Sequence, residues 1–392
     1  MSMLETQGSS PPTSSQGSLW ILVALLALIF LIFIWNKRYF FNLDCYCRHC
    51  TCCISKEYSG GKKKGKLQAR NNTKGGGTTH EKPGHIGINI CGENTRTFAL
   101  EEVKFATKDF GIRIGVGATS YVYLAVFGDG RLGAVKRVMV DRGGSRKMFL
   151  HEASVLMRIS HPNLVGLMGI CFERGEQLLL LEYVPNKSLF DRMHTHRGQS
   201  SGILSWSKRL NIALDIAHAL DYLHSHADPP IIHRDVKSSN ILLTETDHAK
   251  LGDFGFCKLG NNGHVQGRSP VKGSYGYTDT NYLRTGQVCY KLDIYSFGVL
   301  LLELITGLKA LIGSATLAEW TEKPRKNETL GVYYGMLDPK LNGDANADQL
   351  QTLMEIANMC LLENSESRPT MSQIINRLVY CMEPQLQPEL PV

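Results

Sequence analysis

At 392 residues the chain has room for two or three domains, and 43% hydrophobic with 20% charged residues is the composition of a folded globular chain. Its formal charge of +7 is confined to the first quarter: residues 1–97 hold 12 Lys and Arg against 5 Asp and Glu, while the remaining 295 residues hold 31 of each. This predicts a local basic surface and argues against a generally basic nucleic-acid binder.

The first predicted element is a membrane span. Residues 19–35, LWILVALLALIFLIFIW, carry no charge, and a helix of that length reaches roughly 25 Å, near the lower limit for a bilayer core. A cleaved signal peptide needs a basic start, whereas the first 18 residues contain neither Lys nor Arg and the run is followed by NKRYFF. Lys37, Arg38, Arg48, Lys56 and GKKKGK all follow the span, so the positive-inside rule places its C-terminal side in the cytosol. A Ser/Pro-rich tail of residues 1–18 is left outside, too short to bind a ligand as a domain. Residues 36–97 read as a cytosolic juxtamembrane linker, Gly-, Lys- and Asn-rich beyond Ser55.

Within that linker CYCRHCTCC puts Cys45, Cys47, Cys50, Cys52 and Cys53 into nine residues, beginning ten residues past the span. A reducing compartment disfavours disulfides. Zinc is a second reading, with His49 among the ligands, but structural zinc sites separate two ligand pairs by folded chain. Juxtamembrane cysteines are substrates for S-acylation, and Lys62 to Lys66 would add attraction to anionic membrane lipids. Unmodified thiols are the third reading. Cys91, Cys171, Cys257, Cys289, Cys360 and Cys381 show no paired spacing and read as reduced thiols.

Residues 114–137, IGVGATSYVYLAVFGDGRLGAVKR, alternate β-formers with glycine, and Asp129-Gly130 predicts a two-residue hairpin. Gly115 and Gly117 would let backbone approach phosphate, Val122 would cover a nucleotide base, and Lys136 would neutralise phosphate charge. Glycine at this spacing also serves a plain turn, and dinucleotide sites share it but continue into a helix. A helix is predicted over 145–160, with Phe149, Ala153, Leu156 and Met157 as its apolar stripe and Glu152 beside it. Glu152 is either the carboxylate that holds Lys136 or a solvated surface residue.

IIHRDVKSSNILL (231–243) and KLGDFGF (250–256) add what phosphoryl transfer requires. Asp235 can take or orient the proton of an attacking hydroxyl and Lys237 can balance γ-phosphate charge. Asn240 and Asp253 offer hard oxygens to Mg2+. These segments, with LDYLH before them and DIYSFGVLLLELITG and SRPTM after them, resemble protein kinases, and more narrowly the plant receptor-like kinase/Pelle family. The resemblance covers residues 98–382. It implies an α+β, bilobal protein kinase fold with a β-rich N-lobe and lead-in (98–184), a helical C-lobe (185–383) and a tail (384–392). ATP and Mg2+ (or Mn2+) would lie between the lobes, with Ile114, Gly115, Val116 and Gly117 in the nucleotide-facing turn, a gatekeeper at Leu181 and Asp293 beneath the catalytic loop. Arg234 would pair with a phosphate in the activation segment, where Ser269 and Ser274 are the candidate phosphosites. For Ser274 a second reading is a loop hydroxyl that only bonds the catalytic-loop backbone.

Lys237 and GSYGY (273–277) resemble the serine/threonine-specific pattern, so protein substrates phosphorylated on Ser or Thr are expected. Two positions depart from the family. Ser120 replaces the third loop glycine, and in YTDTNY (277–282) Thr280-Asn281 replaces Pro-Glu. The missing glutamate would ordinarily pair with an arginine, here Arg368, and stranding one buried partner costs roughly 3–5 kcal/mol. The leading expectation is a single-pass kinase at the plasma membrane that senses through a co-receptor or other partner. The alternative is an ATP-binding pseudokinase scaffold.

Overall fold

The computed structural model describes residues 95–195, 202–260, 264–327 and 329–383, all within one unit spanning 85–392. Among these residues no helix is long and apolar enough to cross a membrane. The expected span (19–35) and the cysteine stretch lie outside the described residues, as does the rest of the chain up to 94.

A lead-in precedes the sheet. Thr97 bridges Ile170, and helix α1 (Leu100–Thr107) lays Leu100, Val103 and Ala106 against the apolar side of the strands. Five antiparallel strands follow, β1 (Arg113–Val116), β2 (Ser120–Val126), β3 (Leu132–Val138) and, after helix α2 (Arg146–Leu156), β4 (Leu167–Cys171) and β5 (Leu178–Glu182). They lie in the order β1-β2-β3-β5-β4. Gly169 lets the lead-in cross β4, because a Cβ there would stand 2.4 Å from the Arg96 carbonyl oxygen and 2.5 Å from the Phe98 ring.

The expected two-residue hairpin at Asp129-Gly130 is corrected. Phe127 N donates to Arg131 O and Gly130 N to Phe127 O, both at 2.9 Å, so the loop is the three residues Gly128 to Gly130. Only Gly130 of the two takes a positive φ, 83°, which suits a turn ending in one left-handed residue. Helix α2 starts at Ser145, whose side chain accepts from Met148 N, and is capped at Met157, short of the predicted Ser160. The apolar stripe of Phe149, Ala153, Leu156 and Met157 ends there.

The second lobe is mainly helical. Helices α3 (Leu189–His194) and α4 (Trp206–Asp221) lead to two small ribbons, in which β6 (Ile231–Ile232) pairs with β9 (Lys258–Leu259) and β7 (Ile241–Leu243) with β8 (Ala249–Leu251). After β10 (His264–Arg268) come α5 (Thr280–Thr285), β11 (Gln287–Cys289), α6 (Lys291–Thr306) and the hairpin β12 (Leu311–Ile312) with β13 (Ala315–Thr316). Helices α7 (Leu317–Arg325), α8 (Leu330–Met336), α9 (Ala347–Cys360) and α10 (Met371–Met382) complete the lobe.

Helix α6 is buried on every side, which its nearly continuous apolar run allows. Gly298 brings α9 close, since a Cβ there would meet the Cys360 Cβ at 2.7 Å. Gly307 ends α6 in the left-handed region at φ 66°, tight against Asp338, whose carboxylate takes a 2.6 Å bond from the buried Arg209. Cys171, Cys257 and Cys360 are buried free thiols, and Cys289 and Cys381 are free and partly buried.

Candidate active site

The site is built from the sheet downward. Antiparallel register sets Lys136 opposite Val122 on one side and Leu179 on the other, so its side chain leaves the middle of the sheet. Its Nζ donates to Glu152 Oε1 at 2.7 Å and Oε2 at 2.9 Å, and to Asp253 Oδ1 at 2.8 Å. Glu152 is buried, 5% exposed, which decides between the two readings of that residue. Burial opposes the charge on Lys136, but Glu152 and Asp253 outweigh it and raise its pKa above the ordinary lysine value. The same ammonium lowers Asp253 to about 2, so that carboxylate is ionised throughout the physiological range.

The glycine turn lies between β1 and β2. Gly117 N donates to Ser120 O at 2.8 Å, and a Cβ on Gly117 would come within 2.9 Å of Ser120 Oγ. Ser120, at the position where a third glycine was expected, is thus buried under the turn, and any side chain at 117 would have to displace its hydroxyl. Ile114 and Val116 are exposed, free to line an open cleft. Leu181 pairs with Ala134 at the inner end of β5.

Asp235 is the centre of the lower half. It is 4% exposed; Oδ2 accepts from Lys237 Nζ at 2.7 Å and Asn240 Nδ2 at 3.0 Å, and Oδ1 accepts from Ser274 Oγ at 2.8 Å. Lys237 Nζ also donates to Ser274 Oγ at 2.8 Å. The Ser274 hydroxyl therefore joins the side chains of Asp235 and Lys237, and not the loop backbone, as the second reading of that residue had it. Asn240 spends its amide nitrogen on Asp235, leaving its oxygen for a cation. With the ionised Asp253 this is a hard-oxygen donor set that fits a divalent ion such as Mg2+.

Asp293, fully buried on α6, holds this loop from below. It accepts the backbone amides of His233 and Arg234 at 2.8 Å each, and His224 Nε2 at 2.8 Å. Burial would raise its pKa, but the bond and charge of His224 with the backbone amide hold it below the ordinary aspartate value. Arg234 stands at φ 70° and donates to Phe256 O, Pro270 O at 2.8 Å and the Tyr282 hydroxyl. Ser269 N donates to Gly286 O at 3.2 Å.

Arg368 is not stranded, which corrects the cost expected for Asn281. Asp279 Oδ2 accepts from Arg368 Nη1 at 2.7 Å, with both side chains buried. Sequence reasoning missed Asp279, although its carboxylate stands two residues before Asn281 in the same YTDTNY stretch. It also missed Glu303 of α6, which accepts from Tyr277 and from Ser238 at 3.2 Å and so ties the catalytic loop to the segment after Ser274. No spacing rule joins residues that far apart in sequence.

Comparison with known proteins adds the lineage. Residues 109–379 match the family described as the protein kinase domain. Three curated relatives from Arabidopsis thaliana illustrate it: calmodulin-binding receptor-like cytoplasmic kinase 2 is 41% identical over 296 residues, covering 72% of this chain and 70% of that protein. Serine/threonine-protein kinase PBL27 is 39% identical over 309 residues, 76% of this chain and 59% of its own length. Wall-associated receptor kinase-like 20 is 36% identical over 312 residues, 75% of this chain but 47% of its own. The chain thus spans about half to two thirds of the length of several relatives that it matches.

Proposed function

The chain belongs to the protein kinase family, within its plant receptor-like branch, and from that premise we propose that it transfers the γ-phosphate of ATP to serine or threonine hydroxyls of protein substrates. The observation that carries this is the setting of Asp235, whose two carboxylate oxygens are engaged by Lys237, Asn240 and Ser274 beside the Lys136, Glu152 and Asp253 cluster.

In this reading Asp235 accepts the proton of the substrate hydroxyl as its oxygen attacks the γ-phosphorus, and the bond to the β,γ-bridging oxygen breaks to release ADP. Lys237 neutralises charge on the moving phosphoryl group. Lys136, held by Glu152, positions the α- and β-phosphates; Ile114, Gly115, Val116, Gly117 and Val122 enclose the nucleotide. Mg2+, or Mn2+, would be held by Asn240 and Asp253 and would supply charge neutralisation on the phosphate oxygens. Each named group has the partner its role needs, which favours catalysis over a pseudokinase scaffold. Ser269 is the candidate phosphosite. A phosphate on Ser274 would put its negative charge against Asp235, so that hydroxyl is assigned to positioning.

We further place the chain as a single-pass membrane protein, with residues 19–35 spanning and the kinase unit in the cytosol of the plasma membrane. Cys45, Cys47, Cys50, Cys52 and Cys53 would be acylated against the inner leaflet, with a co-receptor or other membrane partner supplying the signal. The charge-free run, the cationic residues after it and the juxtamembrane cysteines support this placement. Turnover by the full chain tests the catalytic reading. Asp235→Asn should lower kcat by about 100-fold or more, in Mg2+ and in Mn2+; a wild type no faster than this variant sinks it.

A further inference from the structure

The stretch 277–282 ends in a buried charge arrangement that is only half complete. Asp279 is 3% exposed; its Oδ2 receives Arg368 Nη1 at 2.7 Å and its Oδ1 receives Asn281 N at 2.9 Å, capping α5. Arg368 is also engaged elsewhere, through Nε to Leu362 O at 2.8 Å and Nη1 to Lys291 O at 3.1 Å. Its remaining nitrogen, Nη2, is buried without a hydrogen-bond partner among the described residues. A guanidinium offers a fork that a carboxylate fills with two bonds, and here one tine is filled. Asn281 does not fill the other, because its side chain faces outward and accepts from Arg284 Nη2 at 3.3 Å.

We propose that Asp279 is the positioning residue that anchors the substrate end of the activation segment, supplying to Arg368 the carboxylate that position 281 lacks. The anchor reaches the reacting atoms by a short path. Thr278 Oγ1 donates to Ser274 O at 2.9 Å and Tyr277 N to the same carbonyl at 3.1 Å. Ser296 of α6 donates to Tyr277 O at 2.8 Å, and Ser274 closes on Asp235. Fixing Asp279 on Arg368 therefore fixes where Ser274 stands over Asp235, and where an acceptor chain is received beside it. The Asp279 bond to Arg368 explains how the segment keeps its shape without a glutamate at 281, and the unfilled Nη2 identifies the bond a glutamate there would add.

This inference rests on the kinase reading, and its test separates the two. The full chain in mild detergent is compared as wild type, Asp279→Asn, Asn281→Glu and the double variant, with dephosphorylated casein as acceptor. Asp279→Asn should raise the KM for casein by about tenfold while the KM for ATP stays within about twofold, since one partner of a buried pair is lost away from the nucleotide. Hydrogen exchange of backbone amides in 269–285 should rise with it. Asn281→Glu alone should slow that exchange by engaging Nη2, and adding it to Asp279→Asn should return the casein KM to within about threefold of wild type. An unchanged casein KM and exchange in Asp279→Asn, or a double variant no better than the single, overturns the proposal. If Asp279→Asn is recovered only as aggregate, a folded double variant supports it and an aggregated one refutes it. A wild type that phosphorylates nothing, with exchange following this pattern, would defeat the kinase reading and uphold the anchor.

Discussion

Ser274 places a neutral hydroxyl between a cation and an anion, accepting from Lys237 and donating to Asp235. Each bond leaves a specific expectation. Ser274→Thr keeps the hydroxyl and should retain activity. Ser274→Ala removes both of these bonds while Lys237 and Asp235 stay paired, and should lower kcat by about tenfold or more. Ser274→Asp sets a second carboxylate against Asp235 and should lower kcat further, where an activating phosphosite would respond by raising it. Steady-state kinetics with casein distinguishes these outcomes. Asp279 shows the same dependence on setting, since its type is ordinary and its role follows from what folds against it.

At the level of elements, α2 touches both halves of the site, through Glu152 to Lys136 and through His151 Nε2 to Cys257 O at 2.8 Å. Burial lowers the pKa of His151, and the nearby Lys258, Lys272 and Arg234 lower it further. Burial likewise lowers His233. The sign follows from linkage: in the unfolded chain these imidazoles take a proton as pH falls below about 6.5, and in the native protein they do not until lower pH. Their stabilisation is complete above that value and is lost as pH falls toward the native pKa values. Thermal melts between pH 7 and 5 should therefore show Tm falling on the acid side. His151→Gln, which can still donate to Cys257 O, should flatten that fall, and an unchanged slope would exclude His151 as a source.

The elements themselves were uneven in what they disclosed. Lys136, Glu152, Asp235, Asn240 and Asp253 could be picked out because they lie in short segments that resemble protein kinases in the same order, and the fold brings Lys136 to Glu152 and Asp253 and Asn240 to Asp235. The Gly128 to Gly130 loop was misjudged, because Asp-Gly fits more than one turn and the register Val126 to Leu132 decided which. The end of α2 was overextended because periodicity fades gradually, whereas a cap ends a helix at a definite residue.

For the molecule as a whole, the proposed span and acylation would keep the kinase unit tethered to the membrane. Acyl-exchange labelling of the full chain should fall to background when Cys45, Cys47, Cys50, Cys52 and Cys53 are all changed to Ser, while membrane fractionation persists through 19–35. Undiminished labelling would place acyl groups on other cysteines. The sequence by itself determined the kinase family and pointed to the proposed catalytic residues, because those residues act through chemical type and lie in short, ordered segments. Tertiary structure alone decided that Asp279 meets Arg368, that Ser274 turns toward Asp235 and that the Ser120 hydroxyl packs against Gly117. Hydrogen bonds and steric limits act over a few ångströms, and it is the fold that brings positions 279 and 368 within that reach.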